Sequence, residues 1–447
     1  MLGRRQSRSP QPSWRGFVAM LLLIAIAGFA GRVAYVMTTT RHEHALYDNA
    51  YYVTVADSVA AGDGFIDAFG VHRQAAPHPP LTVLLLAAVA KLTGPESMRA
   101  TGFRITMSAF GALTIVAVGL LACEVAGRRA GLLAAGFTAV TPAFWMNDAL
   151  VMSETLAALT TALVLLFAYR LLRSGRARDF LGLGVACGLA MLARSELALL
   201  VLFVAVPVTL LAGSRTPRRR VVQLGGTLAA AALVISPWVG YNLSRFNQPV
   251  LLSTGDGAVL AGANCKTTYH GYWLAMWSFS CSVAAGKGAT GDVSEQSNHA
   301  RKVGLHYIRT HEGRAVTVAA LRMARLWGVY RPFQTAHLAE GRPRWAADWG
   351  VWWFWASLPV ALAGAVAARR RKIPLTPLIG TLFSVTVVAA IFWGSLRFRV
   401  PAEVAIALLV ALAADALAGG GSASTADTPL AVGVGAGADS YATVAPE

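Results

Sequence analysis

The stretch GFVAMLLLIAIAGFAGRVAYVM, residues 16–37, decides the architecture. At 1.5 Å of rise per residue, a helix of roughly 20 apolar residues spans the ~30 Å hydrocarbon core of a bilayer. Runs of the same character recur at 102–125, 130–147, 154–170, 180–193, 197–213, 221–241, 349–368, 373–393 and 400–418. The whole chain of 447 residues is 55% hydrophobic and only 14% charged, with a mean hydropathy of +0.53. Soluble domains carry about 25% charged residues, so one water-soluble core is excluded, as are disorder, collagen and a small disulfide scaffold. The expectation is an all-α polytopic membrane protein with about ten transmembrane helices. The first run follows a basic start, but it is longer than the ~7–15-residue apolar region of a signal peptide, so an uncleaved first span is expected.

A net charge of +17 and a pI near 10.4 would suit nucleic acid, but the distribution points elsewhere. The basic clusters are Arg4, Arg5, Arg8 and Arg15; Arg128 and Arg129; Arg170, Arg173, Arg176 and Arg178; Arg215 and Arg218–Arg220; and Arg369–Lys372. All lie in short segments between apolar runs, and positive residues are retained in cytoplasmic loops. Alternating the spans from a cytoplasmic N-terminus puts every cluster on one side. The segment 79–93, between Pro79-Pro80 and Gly94-Pro95, is too short to cross, and counting it as a span would reverse the later clusters. It reads as a juxtamembrane or half-inserted helix.

The domain organisation follows. Residues 1–15 and 419–447 are cytoplasmic tails of disordered composition, and 16–241 form a catalytic membrane module with an outer loop at 38–80. A second outer loop occupies 242–348, and C-terminal spans fill 349–418. The second loop holds Cys265 and Cys281, which outside the cytoplasm either form a disulfide or remain two free thiols. Cys123 and Cys187 lie in apolar spans as packing residues. Residues 294–329 read as amphipathic helices on the outer surface, with Arg322 and Arg325 near Leu326 and Trp327.

Ionisable groups at membrane depth are costly and become functional candidates. Asp48, His78, Arg104, Glu154, Arg194, Glu196, Arg397 and Arg399 all fall at the outer ends of helices or in outer loops under this topology. In YDNAYYVTVADSVAAGDGF, residues 47–65, Tyr52, Val55, Ala56 and Val59 recur at helical spacing. Asp48 opens that helix, either as a cap or as a base aimed at the bilayer surface. Pro77, Pro79 and Pro80 stiffen the chain around His78, a residue suited to a phosphate oxygen. Glu154 starts a span. Arg194 sits at the tip of a short hairpin and needs an anion, either a lipid phosphate or Glu196. Arg397 and Arg399, just before Pro401, are placed for an anionic headgroup. Tyr52 and Tyr269 are the aromatic candidates for substrate contact; Trp273 and Trp277 read as interface anchors. His42, Glu43 and His44 are adjacent on one short segment and do not converge as metal ligands; no metal site is expected, and a divalent ion at the catalytic site is left open.

In combination these motifs resemble a known family. DNAYY and ADSVAAGDGF are followed by HPPL (78–81), GFRITMSAFGALT (102–114), MSETL (152–156), SPWVGYN (236–242), STGDGAVLAGAN (253–264) and RFRVP (397–401). Their order is similar to that of the polyprenyl-phosphate-sugar glycosyltransferases of the GT-C fold, which include protein O-mannosyltransferases and aminoarabinose transferases. The resemblance implies a GT-C-like fold with juxtamembrane helices in the first outer loop. It also implies inverting transfer of a sugar from a polyprenyl-phosphate donor to the hydroxyl of a protein, lipid or glycan acceptor. The implied setting is the outer face of the plasma membrane. Asp48 matches the family's catalytic acid, although Asn49 stands where a second acid often follows. His78 matches the phosphate-contacting position, Glu154 the second acidic residue, and Arg194 the cation near the lipid phosphate.

Two other functions compete. A glycan polymerase or ligase using a lipid diphosphate would depend on Arg397 and Arg399 and survive loss of Asp48. A transporter or flippase would place charges near the membrane midplane and show repeated halves.

Overall fold

A computed structural model of the chain describes residues 11–40, 48–70, 73–93, 96–212, 216–339 and 341–419. The His42–Glu43–His44 segment, the basic residues Arg4, Arg5, Arg8 and Arg215, and the tail beyond 419 lie outside the described residues. The regular structure of the described residues is helical, apart from an isolated bridge between Ile66 and Gln74.

The helices are α1 (Trp14–Tyr35), α2 (Asp48–Ala61), α3 (Leu81–Leu92), α4 (Glu96–Ala126), α5 (Arg128–Val140), α6 (Pro142–Asp148), α7 (Glu154–Ser174), α8 (Ala177–Ala193), α9 (Val206–Leu211) and α10 (Pro217–Arg245). Between α10 and the next long helix lie α11 (Asp256–Ala263), α12 (Lys266–Tyr269), α13 (Phe279–Gly286), α14 (Val293–Thr310), α15 (Glu312–Leu326) and α16 (Pro332–His337). The chain closes with α17 (Arg344–Arg370), α18 (Thr376–Ile391) and α19 (Val400–Leu417).

Six helices among the described residues are long and apolar enough to cross a membrane: Trp14–Thr40, Arg99–Ala126, Glu154–Ser174, Pro217–Arg245, Arg344–Arg370 and Leu396–Leu417. The expected count of about ten full spans is therefore not reached by this measure. The shortfall has local causes. Pro142 cannot continue the ladder of α5, and the residue before it, Thr141, is extended, so the 130–147 run becomes two helices. The 197–213 run starts as a 3₁₀ turn (Ser195–Ala198), loosens into a π turn (Val201–Ala205) and ends in the six residues of α9. The helices α8 and α18 have only 17 and 16 residues. The segment 79–93 appears as α3, 12 residues, as its length implied.

Small residues let the helices approach closely. A Cβ on Gly364 of α17 would lie 1.8 Å from the Leu409 carbonyl of α19, and one on Gly184 of α8 would lie 2.3 Å from the Thr227 carbonyl of α10. The main core gathers Val118, Leu121, Leu165, Leu183, Val404 and Leu408 from α4, α7, α8 and α19.

The basic segments share one end of this bundle. Arg129 takes Gln11 and the Ala418 carbonyl as partners, Arg173 pairs with Glu124 at 3.2 Å, Arg219 donates to Gly175, and Arg371 pairs with Asp415 at 2.7 Å. Asp48 and the described residues 246–339 occupy the opposite end.

Two expectations concern that region. Cys265 and Cys281 form a disulfide. The helices α14 and α15 form as expected, with α14 opened by an Asp292–Glu295 capping box. Within α15, Arg322 and Arg325 are buried at 2% and 0% exposure. The loop after α11 and the end of α18 cover them. Arg325 donates to the Leu274 carbonyl, Thr335 and Gln334, and Arg322 to neighbouring carbonyls, so protein acceptors replace water.

The disulfide closes a loop of sequence separation 16, for which chain entropy gives about 3 kcal/mol. Alkylation of the unfolded chain should label two thiols, Cys123 and Cys187, before reduction and four after it. Four labels without reductant would show that the bond does not form. Cys265→Ser should lower the unfolding temperature, and Cys281→Ser should add nothing to it.

Candidate active site

Asp48 is the first residue of α2, where the free N–H groups and helix dipole favour a carboxylate. The chain before His78 is fixed from outside: Thr254 donates its N–H to the Ala76 carbonyl at 2.7 Å, and the Ser253 hydroxyl donates to the Pro77 carbonyl at 2.6 Å. His78 then lies against the rings of Tyr51 and Tyr52, with centroids 4.9 and 5.3 Å away. Its Nε2 is 3.7 Å from Asp48 Oδ1. The preceding hairpin is tied down by Arg245, which donates to the Phe65 and Ala75 carbonyls and stacks on Tyr241 and Phe246.

Glu154 is the first residue of α7 and is 1% exposed. Its Oε1 accepts from Arg397 Nε at 2.6 Å and lies 2.9 Å from Arg194 Nη1. Arg397 also reaches Asp48, Nη2 to Oδ2 at 2.7 Å. Arg194 continues to Glu196 at 2.6 Å and to the Ser153 hydroxyl at 3.1 Å. The result is one chain of alternating charges: Asp48, Arg397, Glu154, Arg194, Glu196. Both cations leave helix joints. Arg194 terminates α8 before the 3₁₀ turn, and Arg397 sits in a second 3₁₀ turn, Leu396–Arg399, ahead of α19. An α-helix continuing through either joint would carry these side chains onto other faces.

Exposure grades along this chain. Glu154 and Arg397 are closed off, at 1% and 5% of side-chain surface, whereas Asp48 and His78 keep 31% and 33%. Burial opposes the charge on Asp48, but Arg397 and His78 outweigh it and hold the carboxyl well below the usual carboxylate range. Burial pushes the Tyr51 and Tyr52 hydroxyls up, so they remain neutral donors. An accessible carboxylate thus faces outward beside a histidine, over a floor of arginines. Such a site can accept a proton and can neutralise an arriving anion.

Not every expected residue joins it. Arg399 turns away: its Nε pairs with Glu403 at 2.7 Å, it donates to the Leu326 carbonyl, and its guanidinium lies 3.4 Å from the Phe354 ring centre. It is two residues from Arg397 in a tight turn, which sends the two side chains to different partners. Tyr269 lies in the later loop, fully buried, with its hydroxyl donating to Asn264 at 2.9 Å. Arg104 is buried in α4, and the ion pairs joining Asp48, Glu154 and Arg194 do not include it.

Sequence reasoning missed a second buried pair. Arg32 of α1 meets Asp148 of α6 at 2.6 Å, with side chains 1% and 3% exposed, and Asp148 also accepts from the Thr155 hydroxyl at 2.7 Å. It therefore anchors the first turn of α7, where Glu154 sits. The signal was present as an arginine inside the first apolar run and an acid just before the fourth, each demanding an opposite charge. Among the described residues, no three His, Cys, Asp or Glu side chains group to hold a metal ion.

The architecture is that of a multi-pass membrane protein with a charged site at one end of its helices. It also has named relatives in fold. The apo oligosaccharyltransferase of Archaeoglobus fulgidus superposes with a TM-score of 0.54 at 16% identity, over 91% of this chain and 51% of that one. The same archaeal enzyme, AglB, in complex with an inhibitory peptide and a dolichol-phosphate, gives 0.50 at 15% identity over the same shares, 91% and 51%. ArnT from Cupriavidus metallidurans, bound to undecaprenyl phosphate, gives 0.40 at 17% identity, over 91% and 79%. The chain spans about half the length of the archaeal enzyme it matches. Residues 77–241 match the family described as dolichyl-phosphate-mannose-protein mannosyltransferase. No curated protein sequence matches. The chain thus has the GT-C fold, and its residues 77–241 are similar to the mannosyltransferase family.

Glu154→Gln should leave Arg194 and Arg397 without their shared carboxylate, a loss of about 3–5 kcal/mol for a broken buried pair. Thermal unfolding in detergent should show a fall of several degrees. An unchanged midpoint in this variant would refute the shared pairing.

Proposed function

We propose that the chain is an inverting glycosyltransferase that moves a sugar from a polyprenyl-phosphate donor to an acceptor hydroxyl. The proposed site lies at the extracytoplasmic face of the plasma membrane. The observation that carries this reading is the half-open Asp48 carboxylate held against Arg397 with His78 alongside. The gathering of the basic loops at the opposite end supports the orientation. The match of 77–241 to a mannosyltransferase family supports the reaction class, and the dolichol-phosphate bound to the archaeal relative in fold supports a polyprenyl carrier.

In this mechanism the acceptor oxygen attacks the anomeric carbon on the face opposite the phosphate. Its proton passes to Asp48, the new carbon–oxygen bond forms, and the bond to the phosphate oxygen breaks with its electron pair leaving on the lipid phosphate. One displacement inverts the anomeric centre and needs one carboxylate only. Charge gathering on the departing phosphate is met by His78, Arg397 and Arg194. The acceptor hydroxyl keeps its proton at neutral pH, so a positioned base contributes about 10²–10⁴-fold. Glu154 holds the two arginines in place. The divalent ion left open above has no part in these steps.

The ligase reading keeps the arginines and dispenses with Asp48, so one substitution separates the two. With a panel of polyprenyl-phosphate sugars, Asp48→Asn should cut turnover by about 10²–10⁴-fold while donor binding persists. Normal turnover would retire the mechanism and favour the ligase.

A pH profile tests the Asp48–Arg397 contact. Asp48 is charged at every pH above its depressed value, so wild-type kcat/KM, which reports the donor-free enzyme, should show no Asp48 limb down to about pH 4. Arg397→Met removes the charge that lowers it and leaves burial, which raises it. The acid limb of kcat/KM in this variant should therefore move to higher pH. A limb that stays in place would mean that Asp48 does not titrate in the rate-determining step.

A further inference from the structure

Beside the ion-pair chain, and sharing none of its residues, a groove of about 440 Å³ runs between α11, α14, α15 and the last turn of α18. Small-molecule sites usually occupy ~300–1,000 Å³. The walls are apolar, with Leu260, Ile308, Val316 and Phe392 among them. Against them stand Asn264, Tyr269, the Asp256–Arg301 ion pair at 2.6 Å and Arg322, which is 2% exposed. Its guanidinium donates to Asn264 Oδ1 at 3.1 Å, to the carbonyls of Ala390 and Ile391 at 3.3 Å each, and to the Ala263 carbonyl. Every acceptor is neutral, and Nε has no partner. No ion pair among the described residues includes Arg322. Burial pushes the guanidinium down to about 10, so it stays charged at neutral pH.

A buried cation without an anion is expensive, and here open space adjoins it. The groove is also continuous with a bilayer-facing surface. Ile379, Phe383 and Ile391 are exposed along one face of the short apolar α18, and that face runs on to exposed Val316 and Leu305 at the groove. A chain lying along α18 would end with its head beside Arg322.

We propose that this groove binds an anionic bilayer phospholipid, its phosphate paired with Arg322 and one acyl chain laid along the exposed face of α18. The site stands independently of the glycosyl-transfer reading. It also accounts for Tyr269 and its neighbours lying away from Asp48: they wall a lipid site.

The test is native mass spectrometry of the full chain in mild detergent, titrated with phosphatidylglycerol or phosphatidylcholine. One phosphatidylglycerol should be retained with roughly tenfold preference, the equivalent of about 1.4 kcal/mol. Ala319→Trp fills the groove while leaving Arg322 in place and should abolish the preference, as should Arg322→Gln. Val316→Trp, at an exposed wall position, serves if the former variant does not fold. Equal retention of both lipids, or a preference that survives the Trp variants, would overturn the proposal. Displacement of the phosphatidylglycerol by equimolar farnesyl phosphate would also overturn it, giving the groove to an isoprenyl phosphate instead.

Discussion

A carboxylate shared by two arginines is the constraint from which the rest follows. Glu154 is almost without solvent contact, and a lone buried charge there would be intolerable. Arg194 and Arg397 make it tolerable, and Glu154 does the same for them. Neither arginine can reach it from a continuous helix. Each is delivered by a 3₁₀ joint, at 195–198 and 396–399. The short helix α8 is therefore part of the site's construction: it stops where Arg194 must turn inward, and the turn ahead of α19 does the same for Arg397. Backbone groups freed at such joints are permissible at membrane depth only when protein covers them, which draws α7, α8, α18 and α19 together at the same end.

Much of this was legible in the sequence. The spans were readable because bilayer thickness imposes one length on every apolar run, and the shared side of the basic loops followed from charge alone. The gathering of Asp48, His78, Glu154, Arg194 and Arg397 was readable for a related reason. Charged residues at span ends are few, and topology put them all on one face. Pairings were not readable. Arg397 and Arg399 are equivalent by spacing and hydropathy, yet Arg397 joins Asp48 and Glu154 while Arg399 joins Glu403. The difference is set by the 3₁₀ turn, and a four-residue turn leaves no periodicity to detect.

What was not readable shares a physical cause. The burial of Arg322 and Arg325 inside the protein left no mark on the amphipathic pattern of their helix. There α15 is sandwiched, and backbone carbonyls of the loop and of α18 take the place of water. Carbonyl acceptors belong to every residue and so carry no sequence signature. Cysteine carries a signature, but for pairing it states only that partners exist. Likewise hydropathy, an average, is blind to a single proline. Pro142 leaves the 130–147 run apolar while ending its first helix at Val140.

Arg397 has a further property that neither acid has alone. It contacts Asp48 and Glu154 together, and Asp48 is the partner open to the outside. A lipid phosphate entering from that side would compete for the guanidinium with Asp48 before it could disturb Glu154, which Arg194 also holds. Loss of the Arg397 contact raises the proton affinity of Asp48. On the proposed mechanism the base would then strengthen only once a donor phosphate had arrived, while Arg397 stayed anchored through Glu154 to receive the charge of the leaving group. In the empty site the same carboxylate is a poor base, which disfavours idle proton uptake. On that mechanism the shared ion pair would couple donor occupancy to base strength through one side chain.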